Sequence, residues 1–240
     1  MEENPPSSSG CDAPRKPRIL LAASGSVAAV KFANLCHSFC EWAEVKAVAT
    51  NTSLRFIDIR ELPKNLILYT DEGEWLTWRR IGDAVLHIEL RRWADIMIIA
   101  PLSANTLAKM GTPCSNKWHQ AFWAHHGFTS AYCSVYFVLF LTSFPPMCQL
   151  IAGGLCDNLL TCIVRAWDYS KPLFVAPAMN TFMWTNPFTE KHIVLIDDLG
   201  VNLIPPVRTK LASGDYGNGA MAEPSLICTT VRILLAKKQP

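Results

Sequence analysis

Concentrated positive charge is missing from this 240-residue chain: 22 Lys and Arg stand against 20 Asp and Glu, a formal net charge of +2 with no basic cluster. Nucleic acids and anionic membrane surfaces are met by clustered Lys and Arg, so neither is expected as a partner. No CxxC occurs among the nine Cys, an odd number, and the closest pair, Cys36 and Cys40, has helical spacing. Neither a disulfide framework nor a zinc site is read from that pattern. GxGxxG and GxxxxGK[ST] are both absent, which disfavours a dinucleotide fold or a P-loop. The most apolar run, Ala131 to Phe144, has 14 residues, short of the roughly 18 to 20 that span a bilayer. Met1 to Pro17 is rich in Pro and Ser, starts acidic, and lacks the basic-then-apolar order of a secretory signal. It reads as a disordered tail, and the expected compartment is cytoplasmic.

Charge is also missing locally. Between Met110 and Leu150, 41 residues hold one charged side chain, Lys117, whereas the other 199 hold 41. That stretch carries three of the six His, His119, His125 and His126, with no companions at zinc-ligand spacing. It reads as a segment foreign to its surroundings. With 50% hydrophobic residues, the rest has ample material for one well-packed domain.

Ile19 to Ala23 is a short apolar run ending in Ser24-Gly25-Ser26, followed by a helical pattern from Val27 to about Trp42. Val45 to Thr50 is a second strand candidate, and Asp95 to Ala100 is a continuous apolar run typical of a strand buried on both faces, a theme that Leu173 to Ala176 repeats. Further helices are expected at Asp157 to Trp167, at Pro187 to Leu199 with Thr189 at the entry and Gly200 at the exit, and at Pro224 to Lys238. Arg208 to Gly219, rich in glycine and charge, reads as an exposed mobile loop. Alternating strands and helices predict a single α/β domain over 18–238, an open parallel sheet with helices on both faces, interrupted at 110–150.

In such sheets ligands bind beyond the carboxyl ends of the strands, where helix N-termini present free N–H groups. Ser24-Gly25-Ser26 and Ser103-Ala104-Asn105-Thr106 lie at two such ends. Both suit a phosphate, and both equally suit ordinary N-capping by Ser. His87 precedes the Asp95 strand beside Arg91 and Arg92; it is either a hydrogen-bonded structural residue or part of a site in which the arginines hold an anion. Asn180 directly follows a buried strand, placed to hold a carboxylate or amide or to cap the next helix. The glycines of Lys210 to Gly219 suit a lid over substrate or a merely flexible surface loop.

Taken together, Pro177-Ala178-Met179-Asn180-Thr181-Phe182-Met183-Trp184, a PxMNxxMW pattern, resembles the flavin-containing cysteine decarboxylases. Gly25-Ser26, the His87 segment, the Ser103 to Thr106 turn and the flap ending in Ala220-Met221-Ala222-Glu223-Pro224 extend the likeness to the plant branch acting on 4′-phosphopantothenoylcysteine, over roughly Arg18 to Lys237. The resemblance implies a flavodoxin-like fold, assembly as a trimer, and FMN near subunit interfaces. It implies oxidation of the cysteinyl end to a thioaldehyde, loss of CO2, and hydride return to an enethiol, giving 4′-phosphopantetheine for coenzyme A. On this resemblance FMN is held by Gly25, Ser26, Val27, Thr50, Ser103, Ala104, Asn105, Thr106 and Ala178. Substrate is held by Arg92, Asn180, Met183, Lys210, Ala212 and Met221, and His87 is the acid/base.

Two departures follow from the same comparison. The family flap carries a proton-donating cysteine where this chain has Ser213; a thiol has a pKa of about 8.5 and an alcohol is a far weaker acid. The family also runs directly from the Asn105-Thr106-Leu107 helix into Ile151-Ala152-Gly153-Gly154, where this chain interposes Met110 to Leu150. The Phe-, Leu-, Ser- and Pro-rich end of that stretch, Phe137 to Pro146, matches pyrimidine-rich codons and so a retained intron; a lineage-specific loop is the alternative. Ser213 also leaves room for a different class of function, a non-catalytic flavoprotein subunit or a phosphatase-inhibitor-like regulator linked to salt tolerance; in a mixed trimer, the alternative to a homotrimer, both readings hold, with a partner chain supplying the missing thiol.

Overall fold

The structure is a computed structural model, and it describes residues 15–76, 80–111, 156–211, 214 and 216–238. The N-terminal tail up to residue 14, most of the atypical stretch, Ala212 and Ser213 lie outside the described residues.

Strand β1 (Arg18–Ala23) leads through a 3-10 turn (Val27–Lys31) into α1 (Phe32–Cys40), then β2 (Glu44–Ala49) and β3 (Ile67–Thr70). Two helices follow, α2 (Asp71–Leu76) and α3 (Leu86–Trp93), then β4 (Ile96–Leu102) and α4 (Ala104–Met110). Beyond the gap come α5 (Leu159–Arg165), β5 (Leu173–Pro177), α6 (Thr181–Trp184), α7 (Pro187–Asp197) and β6 (Asn202–Leu203). A hairpin of β7 (Val207–Lys210) and β8 (Tyr216–Ala220) precedes α8 (Pro224–Lys238). Six strands form one parallel sheet in the order β3-β2-β1-β4-β5-β6.

The central strands are buried on both faces, which is why they read as unbroken apolar runs rather than alternating ones. Their period of two still sorts side chains between two cores. Ile19, Leu21 and Ala23 meet Phe32, Leu35 and Phe39 of α1 and Ile227 and Val231 of α8. Leu20 and Ala22 face the other way, onto Leu90 of α3, Leu107 of α4, and Leu160 and Ile163 of α5. Each such fully buried Leu, Ile or Phe contributes roughly 1.5–3 kcal/mol, and the covered faces leave ligand space at the strand ends. No described helix is long and apolar enough to cross a membrane.

Several expectations are corrected. The Val27 to Trp42 helix is split, because Ser26 caps a tight 3-10 turn that relaxes into α1 only at Phe32. Asn186, with Pro187 at the first helical position, caps α7 in place of Thr189, while Gly200 closes it with φ +78°. Arg208 to Gly219 is a two-stranded antiparallel hairpin where it is described. Its glycines allow close packing: a Cβ at Gly219 (φ +129°) would fall 2.4 Å from the Met179 carbonyl oxygen.

Candidate functional site

The sheet order reverses direction between β1 and β4, the place where open α/β folds leave a crevice. Ser24, fully buried there, ties the two strand tips together: its hydroxyl donates to the Pro101 carbonyl at 3.0 Å and accepts from the Ser103 N–H at 2.7 Å. Next to it Gly25 has no room for a side chain, since a Cβ would lie 2.6 Å from Thr52 Cγ2. Ser26 caps the 3-10 turn and donates to the Ala178 carbonyl at 3.0 Å, linking the ends of β1 and β5. Thr50 is buried beside Ser53, joined to the β1 tip through the Ala23 carbonyl. Ser103 caps α4 and its hydroxyl donates to Thr106 Oγ1 at 3.1 Å. All the residues expected around a flavin therefore gather at the carboxyl edge of the sheet. The capping role and the site role coexist, because the turns that cap are the turns that face the crevice.

A cavity of about 400 Å³ opens at this edge, inside the usual range for small-molecule sites. Ser26, Val27, Ala178, Asn180, Lys210 and Met221 line it, six expected residues brought together from four chain segments. The β7–β8 hairpin forms one wall. It is held by the Met179 N–H donating to the Gly219 carbonyl at 2.9 Å and, at its exit, by a 2.6 Å ion pair of Lys31 with Glu223. Asn180 caps α6: its Oδ1 accepts from the Phe182 N–H at 2.9 Å, which leaves Nδ2 to donate.

His87 does not line that cavity. Its Nδ1 lies 2.6 Å from Oε1 of Glu74, a carboxylate 7% exposed on α2. With Nδ1 donating there, Nε2 is left to exchange a proton. Glu74 escaped the sequence reading because it stands thirteen positions from His87 in another helix, and only the packing of α2 against α3 joins them. Cys162 of α5 completes the neighbourhood. Its thiol is pushed up to about 12, first by burial and then by Glu74, Cys156, Asp157 and Asp71.

Neither arginine lines the cavity of its own chain. Helix α3 runs back toward the amino edge of the sheet, where Asp95 N–H meets the Arg18 carbonyl, so its C-terminal residues point away from the crevice. Arg91 donates to the Ala166 carbonyl and lies 3.6 Å from Asp168; Arg92 pairs with Glu89 on the surface. Met183, half exposed on α6, is also outside the cavity wall. Ala212 and Ser213 lie outside the described residues.

Comparison with known proteins decides the family. The Flavoprotein family model matches residues 7–122 and 148–235, with the break inside the charge-poor stretch. A probable phosphopantothenoylcysteine decarboxylase of Arabidopsis thaliana is 64% identical over 219 residues, covering 91% of this chain and 89% of that protein. The chain belongs to the phosphopantothenoylcysteine decarboxylase branch of the flavoprotein family. A mouse phosphopantothenoylcysteine decarboxylase is 38% identical over 93% of this chain and 89% of its own. Among solved structures, a cysteine-to-serine mutant of phosphopantothenoylcysteine decarboxylase complexed with pantothenoylaminoethenethiol matches with TM-score 0.75 and 58% identity, covering 92% of this chain and 100% of that one. The FMN binding protein AtHal3 matches with TM-score 0.73 and 57% identity, covering 94% and 100%. These matches agree with the flavodoxin-like, six-stranded parallel architecture.

Proposed function

We propose that this chain carries out FMN-dependent decarboxylation of 4′-phosphopantothenoylcysteine to 4′-phosphopantetheine in coenzyme A biosynthesis. One observation carries the reading: Ser26, Ala178, Asn180, Lys210 and Met221, scattered through the sequence, share the wall of a single cavity at the carboxyl edge of the sheet. The names of the relatives support the reaction, and the FMN-binding neighbour supports the cofactor. The residues present fit a flavin: apolar Val27, Ala178 and Met221 suit a flat ring, and the Ser-rich turns at the β1 and β4 tips suit a phosphate. Bound FMN supplies the two-electron acceptor and donor that no side chain of this chain provides.

The remaining work falls to the protein. Asn180, its Oδ1 committed to the helix cap, offers its amide N–H groups to the substrate carboxylate. Lys210 supplies a positive charge at the same cavity for the substrate's anionic end. Glu74 holds the His87 ring so that Nε2 can take up and return a proton. The hairpin wall limits water, which strengthens each of these interactions. The proton for the final reduction is expected from the flap, where Ser213 replaces a thiol by a weaker acid. A relative with a cysteine-to-serine change is complexed with an enethiol, in keeping with an impaired last step here.

His87 and the cavity lie on opposite faces of the sheet within one chain, His87 with the α3 and α5 layer and the cavity beside the 3-10 turn and hairpin. Self-association, as a homotrimer in the cytoplasm, is the proposed way of bringing His87 of one copy to the cavity of another. The exposure of Phe182 (82%), Tyr216 (70%) and Phe188 (67%) supports such an interface. Mixing inactive His87→Gln and Asn180→Asp chains tests it: partial recovery of CO2 release is expected, and none at any mixing ratio, with both variants folded and assembled, counts against it.

The function itself is tested by the absorbance spectrum of the purified chain and by product mass spectrometry with 4′-phosphopantothenoylcysteine. A yellow protein that releases CO2 is expected. A colourless protein, inert both as it stands and as Ser213→Cys, would overturn the reading. Ser213 is the one feature favouring a non-catalytic, regulatory flavoprotein subunit, for which flavin would bind and no CO2 appear.

A further inference from the structure

No sequence spacing suggests a metal site, yet three donors of different chemistry converge beside the sheet. Glu74 of α2, His87 of α3 and Cys162 of α5 each offer one ligand atom, and these atoms all lie within 4.8 Å of one another. We infer that Glu74, His87 and Cys162 form a binding site for a thiophilic divalent cation of the Zn²⁺ class, and that its occupancy withdraws His87 from proton transfer.

The donor set is the carboxylate, imidazole and thiolate combination that suits zinc and its analogues, with a fourth position left for water. Ligand atoms bound at about 2.0–2.3 Å in a tetrahedron stand roughly 3.3–3.8 Å apart. The group therefore needs to contract by at most about an ångström while the 2.6 Å Glu74–His87 contact opens by a similar amount. Glu74 is buried at 7% exposure, so its charge is poorly screened. Three carboxylates, Glu74, Asp157 and Asp71, act on the Cys162 thiol, and of these Asp157 is already paired with Lys109 at 2.6 Å. A cation relieves that crowding, and on binding the Cys162 proton passes to solvent as the sulfur becomes a thiolate ligand.

The cation site stands on this geometry alone; only its effect on turnover rests on the reading of His87 as acid/base. The two are separable by experiment. Titration of the full-length protein with Co²⁺ should raise a thiolate-to-cobalt charge-transfer band, and Zn²⁺ should bleach it by displacement. Cys162→Ser should abolish the band, and Glu74→Gln should weaken binding by at least the roughly 10–100-fold that losing even an outer-shell partner costs. Circular dichroism checks that each variant is folded, and Glu74→Gln decides the matter should Cys162→Ser not fold. Absence of the band in the unaltered protein, its persistence in either variant at undiminished affinity, or its loss only in Cys156→Ser would overturn the site. Where the site is occupied, Zn²⁺ should inhibit CO2 release by the unaltered chain and lose that effect in Cys162→Ser; an unaltered rate at full occupancy removes the catalytic consequence and leaves the site.

Discussion

Asn180 illustrates how one side chain serves two ends. Its carbonyl oxygen caps α6 and the residue also lines the cavity, so substitution separates the roles. Asn180→Ser keeps a capping oxygen and should leave stability within a few tenths of a kcal/mol while activity collapses; Asn180→Ala should in addition lose about 0.5–2 kcal/mol in a denaturant titration. Glu74 acts through His87. Glu74→Gln should lower kcat by about tenfold or more with KM and flavin content little changed, whereas His87→Gln should cost ~10²–10⁴; steady-state kinetics with flavin absorbance distinguishes the two. Ser213→Cys should convert an enethiol-rich product mixture into 4′-phosphopantetheine, read by mass spectrometry. Cys162 adds a pH dependence. Its thiol is raised from 9.0 to about 12 in the fold, so folding favours the neutral form. That contribution is complete below the unfolded value and is lost as pH climbs toward 12. Melting curves of the unaltered chain should therefore fall more between about pH 9 and 11 than those of Cys162→Ser.

At the scale of elements, the hairpin depends on the absence of side chains at its contact with the β5–α6 turn. Gly219 sits at φ +129° with the Met179 carbonyl where a Cβ would be, and at Gly217 a Cβ would lie 2.1 Å from Thr181 Oγ1. Gly219→Ala should strain the backbone by ~1–3 kcal/mol. Because Val207 is the one described hairpin residue packed against the cores, KM should rise well before the melting temperature falls. Equal effects on both would show the hairpin to be part of the global fold. Helix α5 offers a contrasting element: an Asn158–Thr161 capping box and the Asp71 carboxylate, accepting from Leu159 N–H, fix its start without any metal. That rigid start holds Cys162 within reach of Glu74 and His87.

For the whole molecule, the base of the charge-poor stretch is closed by Lys109, whose Nζ reaches both carboxylate oxygens of Asp157 at 2.7 and 2.6 Å. Lys109 and Asp157, on either side of the gap, are thus in direct contact. Replacing 112–155 by a turn about a tenth as long should keep the fold and, through closure entropy alone, stabilise it by ~2 kcal/mol. It should also improve solubility, since the removed stretch brings many aromatics and one charge. Loss of folding on deletion would show the stretch to be integral.

The central strands β1, β4 and β5 and the crevice edge were legible in the sequence, because strands buried on both faces are apolar throughout and each leads into the Ser, Gly or Asn that a sharp turn requires. Strands β3 and β6 were not: at the sheet margins they are short and only partly buried, so no apolar run marks them. The hairpin read as a loop because its glycines serve close packing rather than flexibility. Local pattern alone thus determined the α/β class, the turns that face a ligand and the family motif around Asn180. Only the tertiary structure decided that Arg91 is spent on Ala166, that Glu74 grips His87, and that Cys162 joins them. Contacts between residues 74, 87 and 162 depend on how three helices pack on one sheet face, and pairings of that kind leave no periodicity along the chain.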